Sequence, residues 1–105
     1  MADDADITTF LKLATLYANI EVIGRDWEDE FVRAVQGISA GEVRESFRRG
    51  FARSLEGGLT PREYESRTRW DFDTPEELHA HLLQLWRRFY GDADPKAALI
   101  RRVEG

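Results

Sequence analysis

Apolar residues recur along the chain at the three- and four-residue spacing of helices. From Asp6 to about Asn19, Ile7, Phe10, Leu11, Ala14, Tyr17 and Ala18 share one face. At roughly 100° per residue, Leu13, Leu16 and Ile20 widen that arc beyond half the circumference. The polar strip is thin (Thr8, Lys12, Thr15, Asn19), so this helix is expected at the centre of the fold. Residues 20–24, Ile-Glu-Val-Ile-Gly, fit either a continuation of it or an extended connection. A second helix is predicted from about Asp26 to Gln36, with Trp27, Phe31, Ala34 and Val35 inward and Gly37 as terminator. A third, about Ala40 to Glu56, sets Val43, Phe47, Phe51 and Leu55 at i, i+4 and closes at Gly57-Gly58. A short fourth carries Tyr64 and stops before Trp70. The fifth, Pro75 to Tyr90, has a stripe of Leu78, Leu82, Leu85, Trp86 and Phe89, with Gly91 as its stop. A last short helix is expected from Pro95 to about Val103, offering Leu99, Ile100 and Val103 for packing.

Capping chemistry marks the same boundaries independently. All three prolines follow an N-cap type of residue: Thr60-Pro61, Thr74-Pro75 and Asp94-Pro95. Proline suits the first helical position because the N–H it lacks would be unpaired there. Thr60 to Glu63, Thr74 to Glu77 and Ser39 to Glu42 have capping-box spacing. No segment shows the period-two alternation of strands bounded by hairpin turns. The expected architecture is all-α, a compact single-domain bundle of five or six helices over residues 1–105.

Composition narrows the function classes. At 105 residues the chain holds one core, and its 11% aromatic content argues against disorder. It has no cysteine, which removes disulfides, Fe–S clusters, cysteine-type zinc sites and thiol nucleophiles. No apolar run approaches the roughly 18 residues that span a bilayer. The acidic opening, Met1-Ala2-Asp3-Asp4-Ala5-Asp6, is the opposite of a signal peptide's basic start. A cytoplasmic protein without a membrane partner is expected. The net charge of −5 is unevenly spread: residues 1–42 carry −6, 43–69 carry +3, 70–86 carry −4 and 87–105 carry +2. Complementary charge between packed helices accounts for such alternation, as does an acidic block facing a basic partner.

Little in the chain suggests catalysis. His79 and His81 lie about 200° apart on a helix and cannot share a metal as an i, i+4 pair could. His81 falls four residues after Glu77, which suggests a surface ion pair or a helix-stabilising contact. No serine sits in a nucleophile elbow, and the glycines form neither a phosphate loop nor a dinucleotide fingerprint. Asp71, Asp73, Glu76 and Glu77 lack the mid-loop glycine of a calcium loop. No catalytic, cofactor-binding or metal-ligating residue is therefore assigned, no cofactor is expected, and the chain is not read as an enzyme. Arg44, Arg48, Arg49 and Arg53 on the third helix could suggest nucleic-acid recognition. They spread around its polar side rather than lining one stripe, and an acidic protein repels phosphate, so nucleic acid is not the expected partner.

The stretch from Trp70 to Glu77 joins two helices and combines two large aromatics with four acids and no base. Interfaces concentrate binding energy in aromatics ringed by polar groups, and an acidic rim accelerates encounter with a basic partner. Trp70, Asp71, Phe72, Asp73, Glu76 and Glu77 are the candidate partner-binding residues. An alternative stands beside this: Trp70 and Phe72 anchor the connection to the core while the acids favour a helix N-terminus. Asp26 to Glu30 with Trp27 is a second candidate surface of the same kind.

Leu59-Thr60-Pro61-Arg62-Glu63-Tyr64-Glu65, then Trp70-Asp71-Phe72-Asp73-Thr74-Pro75-Glu76-Glu77-Leu78, then Leu85-Trp86-Arg87-Arg88-Phe89-Tyr90-Gly91 resembles a pattern in small helical bacterial immunity proteins. These belong to contact-dependent growth inhibition systems and neutralise a cognate toxin domain. The resemblance covers about residues 59–91, mostly through capping and core positions. It implies a non-catalytic domain that binds a basic toxin stoichiometrically and occludes its active site. The alternative is a regulatory or scaffolding domain that forms a homodimer through Leu83 and Tyr90. A helical nucleic-acid binder is a third class.

Overall fold

In the computed structural model, which describes residues 5–21 and 23–99, the helices begin and end close to the predicted signals. They are α1 (Ala5–Tyr17), α2 (Trp27–Gln36), α3 (Gly41–Arg53), α4 (Pro61–Thr68), α5 (Pro75–Tyr90) and α6 (Pro95–Leu99). The fold is an all-α bundle with no strand among the described residues. The expected run of α6 to Val103, and the packing of Leu99, Ile100 and Val103, lie outside what is described.

Thr60 forms the full predicted box: its side chain accepts from the Glu63 amide, and the Glu63 carboxylate accepts from the Thr60 amide. Thr74 caps α5 through the Glu77 amide at 3.2 Å, but the Glu77 carboxylate reaches one residue further back, to the Asp73 amide at 2.9 Å. Asp94 accepts from the Lys96 amide at 3.0 Å. The box expected at Ser39 and Glu42 does not form. Ala40 is the N-cap and Gly41 the first helical residue, so Glu42 stands at the second helical position, too early to close a box.

At its other end α3 widens into a π-type turn over Ser54–Gly58, in which Gly57 takes φ +98°. The chain then enters α4, which ends at Arg69 in the left-handed conformation, φ 71°, and swings into Trp70.

The core is a stack of rings. Phe10, Phe31, Phe47, Phe51 and Phe89 interlock with centroids 4.7–5.7 Å apart, and Trp86 meets Phe51 edge-on at 5.2 Å. Every helix from α1 to α5 except α4 contributes at least one of these rings, and α4 adds the fully buried Tyr64. α1 packs most extensively on α3, with α2 and α4 at its flanks. That closeness depends on Gly50. A Cβ there would overlap the carbonyl group of Asp6 and stand 2.9 Å from the Ile7 nitrogen. Across this seam Arg49 pairs with Asp6 at 2.9 Å, and Ser46 donates to the same carboxylate at 2.8 Å. The Arg49 hydrogen bond holds the Asp6 pKa below the usual aspartate value.

α1 is not the enclosed central helix that its apolar arc suggests. Ile7, Phe10, Leu11, Ala14 and Ala18 are buried, but Leu16 is 64% exposed, Ile20 45% and Tyr17 37%. With α3 beneath it and α2 and α4 beside it, the outward side of α1 meets solvent. Val43, at the start of α3, is likewise exposed.

Candidate acidic and aromatic interaction face

The Trp70–Glu77 connection is pinned by its aromatics. The Trp70 indole N–H donates to the Ala18 carbonyl at 2.7 Å, and its ring lies 5.8 Å from Trp27 and 6.2 Å from a parallel Phe72. His81 stands in the middle of the group, with ring centroids 4.7 Å from Trp70, 5.0 Å from Phe72, 5.5 Å from Tyr64 and 6.3 Å from Trp27. Its Nε2 shares a 3.1 Å hydrogen bond with the Tyr64 hydroxyl.

This corrects the expectation of a surface ion pair between His81 and Glu77. The Glu77 carboxylate is engaged at the Asp73 amide, while burial pushes the His81 pKa down to about 4 and so keeps the ring neutral. Burial also raises the Tyr64 pKa well above the ordinary phenol value. The sequence carried a signal for His81 in its spacing. It lies three residues after Leu78 and four before Leu85, on the stripe that faces inward.

The six candidate residues divide into three groups. Trp70 and Phe72 are half-buried against the core, so they anchor the connection while leaving ring area exposed. Asp71, Asp73 and Glu77 are exposed on the connection and the first turn of α5. Glu76, also exposed, lines a different feature: an open cleft of about 590 Å³ floored by Leu55, Leu59, Leu78 and Leu83. His79 borders this cleft, with Nδ1–H donating to the Leu55 carbonyl at 3.0 Å. Among the described residues, no group of three His, Cys, Asp or Glu side chains is placed to hold a metal ion.

The Trp27–Trp70 contact joins the two acid-rich stretches that stand far apart in the sequence. Residues 17–33 and 65–77 hold ten acids against four bases, a net −6, while the remaining residues sum to +1. Arg69 lies 3.8 Å from Glu21, and Arg88 reaches in from α5 to Glu28 and Asp29 at 3.5 and 2.6 Å. No ion pair among the described residues engages Asp26, Glu30, Asp71, Asp73 or Glu76. Comparison with protein-family models, with curated proteins and with solved structures gives no match for the chain. The geometry of this face is thus the main guide to function.

Surfaces considered for other roles are largely occupied. Arg44 donates to the Ile38 carbonyl, Arg48 sits 3.6 Å from Glu45, and Arg49 is held by Asp6. Arg53 lies close enough to Asp6 to help lower its pKa. Leu83 and Tyr90, expected as spare apolar surface, are only partly covered, and Leu83 lines the open cleft. Both are half-buried against the core, and Tyr90 lies on Trp86 at 4.4 Å. Among the described residues, no helix is long and apolar enough to cross a membrane.

Proposed function

We propose that this chain is a non-catalytic protein-binding domain that neutralises a basic toxin domain in the manner of a bacterial immunity protein. The observation that carries the reading is the joining of the two acidic stretches by Trp27 and Trp70. Around partly exposed rings it gathers carboxylates that form no ion pair among the described residues. Such a face attracts a cationic partner at long range and supplies aromatic area on contact. Against a nuclease-type toxin, its carboxylates occupy the positions of substrate phosphates and block the channel without chemistry of their own.

The test is co-expression with a toxin domain encoded directly upstream, scored by growth and by heterodimer formation. The expected result is rescue, with an association rate that falls as salt rises. The double variant Asp71→Lys/Asp73→Lys should slow association at least about tenfold at low salt. Absence of any toxin-like gene beside this one, or full binding by the double variant, overturns the reading.

A further inference from the structure

The outward side of α1 ends in an apolar patch that the acidic face borders. Leu16 and Tyr17 are exposed at the end of α1, Ile20 is exposed in the turn that follows it, and the half-buried Leu13 lies one helical turn before them. This patch is continuous with the Trp70 region. The Ile20 amide donates to the Thr68 carbonyl at 2.9 Å, Glu21 lies beside Arg69, and the Ala18 carbonyl receives the Trp70 indole. On the other side the Tyr17 ring lies over Phe31 of α2 at 5.9 Å, one turn from Trp27. Three stretches distant in sequence therefore meet around one patch. An apolar centre with a charged rim is the anatomy of a protein interface, and a cluster of large exposed apolar side chains marks such sites on soluble domains.

We propose that Leu16, Tyr17 and Ile20 form the apolar centre of the binding face, and that its occupant is a protein surface with an apolar middle and a basic surround. The proposal rests on the acidic-face reading above and adds the residues that supply affinity once charge has brought the partner in. A second copy of this chain is the poorer occupant. It would set two acid-rich faces against one another, and like charges across an interface oppose association.

The experiment uses the whole protein and two synthetic helical peptides of equal positive charge. One is amphipathic, built of leucine and lysine; in the other, serine replaces every leucine. Calorimetry at low and moderate salt should give at least about tenfold tighter binding of the leucine peptide. The charge-neutral variant Leu16→Ser/Ile20→Ser should lose that preference while still binding the serine peptide in a salt-dependent way. Both side chains are exposed, and a circular dichroism melt checks that the variant stays folded. Equal binding of the two peptides, or a preference that survives the double variant, overturns the proposal. A leucine preference lost in that variant but indifferent to salt and to Asp71→Lys overturns the acidic-face reading and leaves the apolar centre standing. Concentration-dependent dimerisation of the unmodified protein, abolished by Leu16→Ser/Ile20→Ser, makes a second copy the occupant and overturns the choice of partner.

Discussion

The neutral His81 inside the aromatic group couples the candidate face to pH. Its pKa falls from the ordinary histidine value of 6.5 to about 4 on folding because burial penalises the charged ring. The unfolded chain therefore binds the proton more readily than the folded one. The stabilisation is fully present above pH 6.5 and is lost progressively as pH falls toward 4. Each pKa unit is worth 1.36 kcal/mol, so this shift amounts to about 3 kcal/mol when fully expressed and about 2 kcal/mol at pH 5. Asp6 does not confuse the measurement. Its pKa is lowered below 3.8 by Arg49 and Ser46, so it stays ionised in both states above pH 5 and matters only in stronger acid.

The assay is urea denaturation followed by tryptophan fluorescence at pH 7.5, 6 and 5, on the native protein and on His81→Phe. The substituted ring keeps the aromatic packing and cannot take a proton. The native protein should lose about 2 kcal/mol between pH 7.5 and 5, a large part of the stability of a domain this size. The variant should give a much flatter profile over that range. Equal losses in the two proteins would refute the argument, as would an NMR titration placing the His81 midpoint near that of an ordinary histidine.

Four further outcomes test the packing beneath the face. Gly50→Ala should destabilise by about 2–4 kcal/mol in the same assay, because the added methyl meets Asp6 backbone that no rotamer change can move. Gly41→Ala, whose Cβ would meet only the Arg44 guanidinium at 3.6 Å, should be neutral or slightly stabilising. Arg69→Gly should raise the thermal midpoint, gaining about 0.5–1 kcal/mol by relieving a left-handed non-glycine residue, since the exposed pair with Glu21 contributes little. Trp70→Phe should cost about 1–2 kcal/mol, because the ring survives while the Ala18 carbonyl loses its indole donor. Amide exchange at the end of α1 should quicken with it.

Local interactions made much of this fold legible in the chain. A capping bond joins residues three apart, a helical stripe repeats every 3.6 residues, and proline fixes its own φ. Thr60, Thr74 and Asp94 therefore announced their helices, and Phe47, Phe51, Leu78, Leu82, Leu85, Trp86 and Phe89 announced the core. Ser39 misled because a box needs the helix to start one residue earlier than Gly41 allows.

Which side of a helix stays wet, and which distant stretches meet, is decided by neighbours far along the chain. The breadth of the apolar arc on α1 could not say that α3, α2 and α4 would cover only part of it and leave Leu16 and Ile20 in water. A one-turn spacing from Glu77 pointed His81 outward, while the rings of Trp27, Tyr64, Trp70 and Phe72 enclose it. The acidic residues were visible as two separate runs. They become one face only through the Trp27–Trp70 contact, part of a long-range packing that includes the close approach of Asp6 to Gly50. The sequence by itself determined the helices, their ends and most of the core, because those depend on residues a turn apart. Tertiary structure decided the face, because a face belongs to surfaces that meet only after the chain has folded.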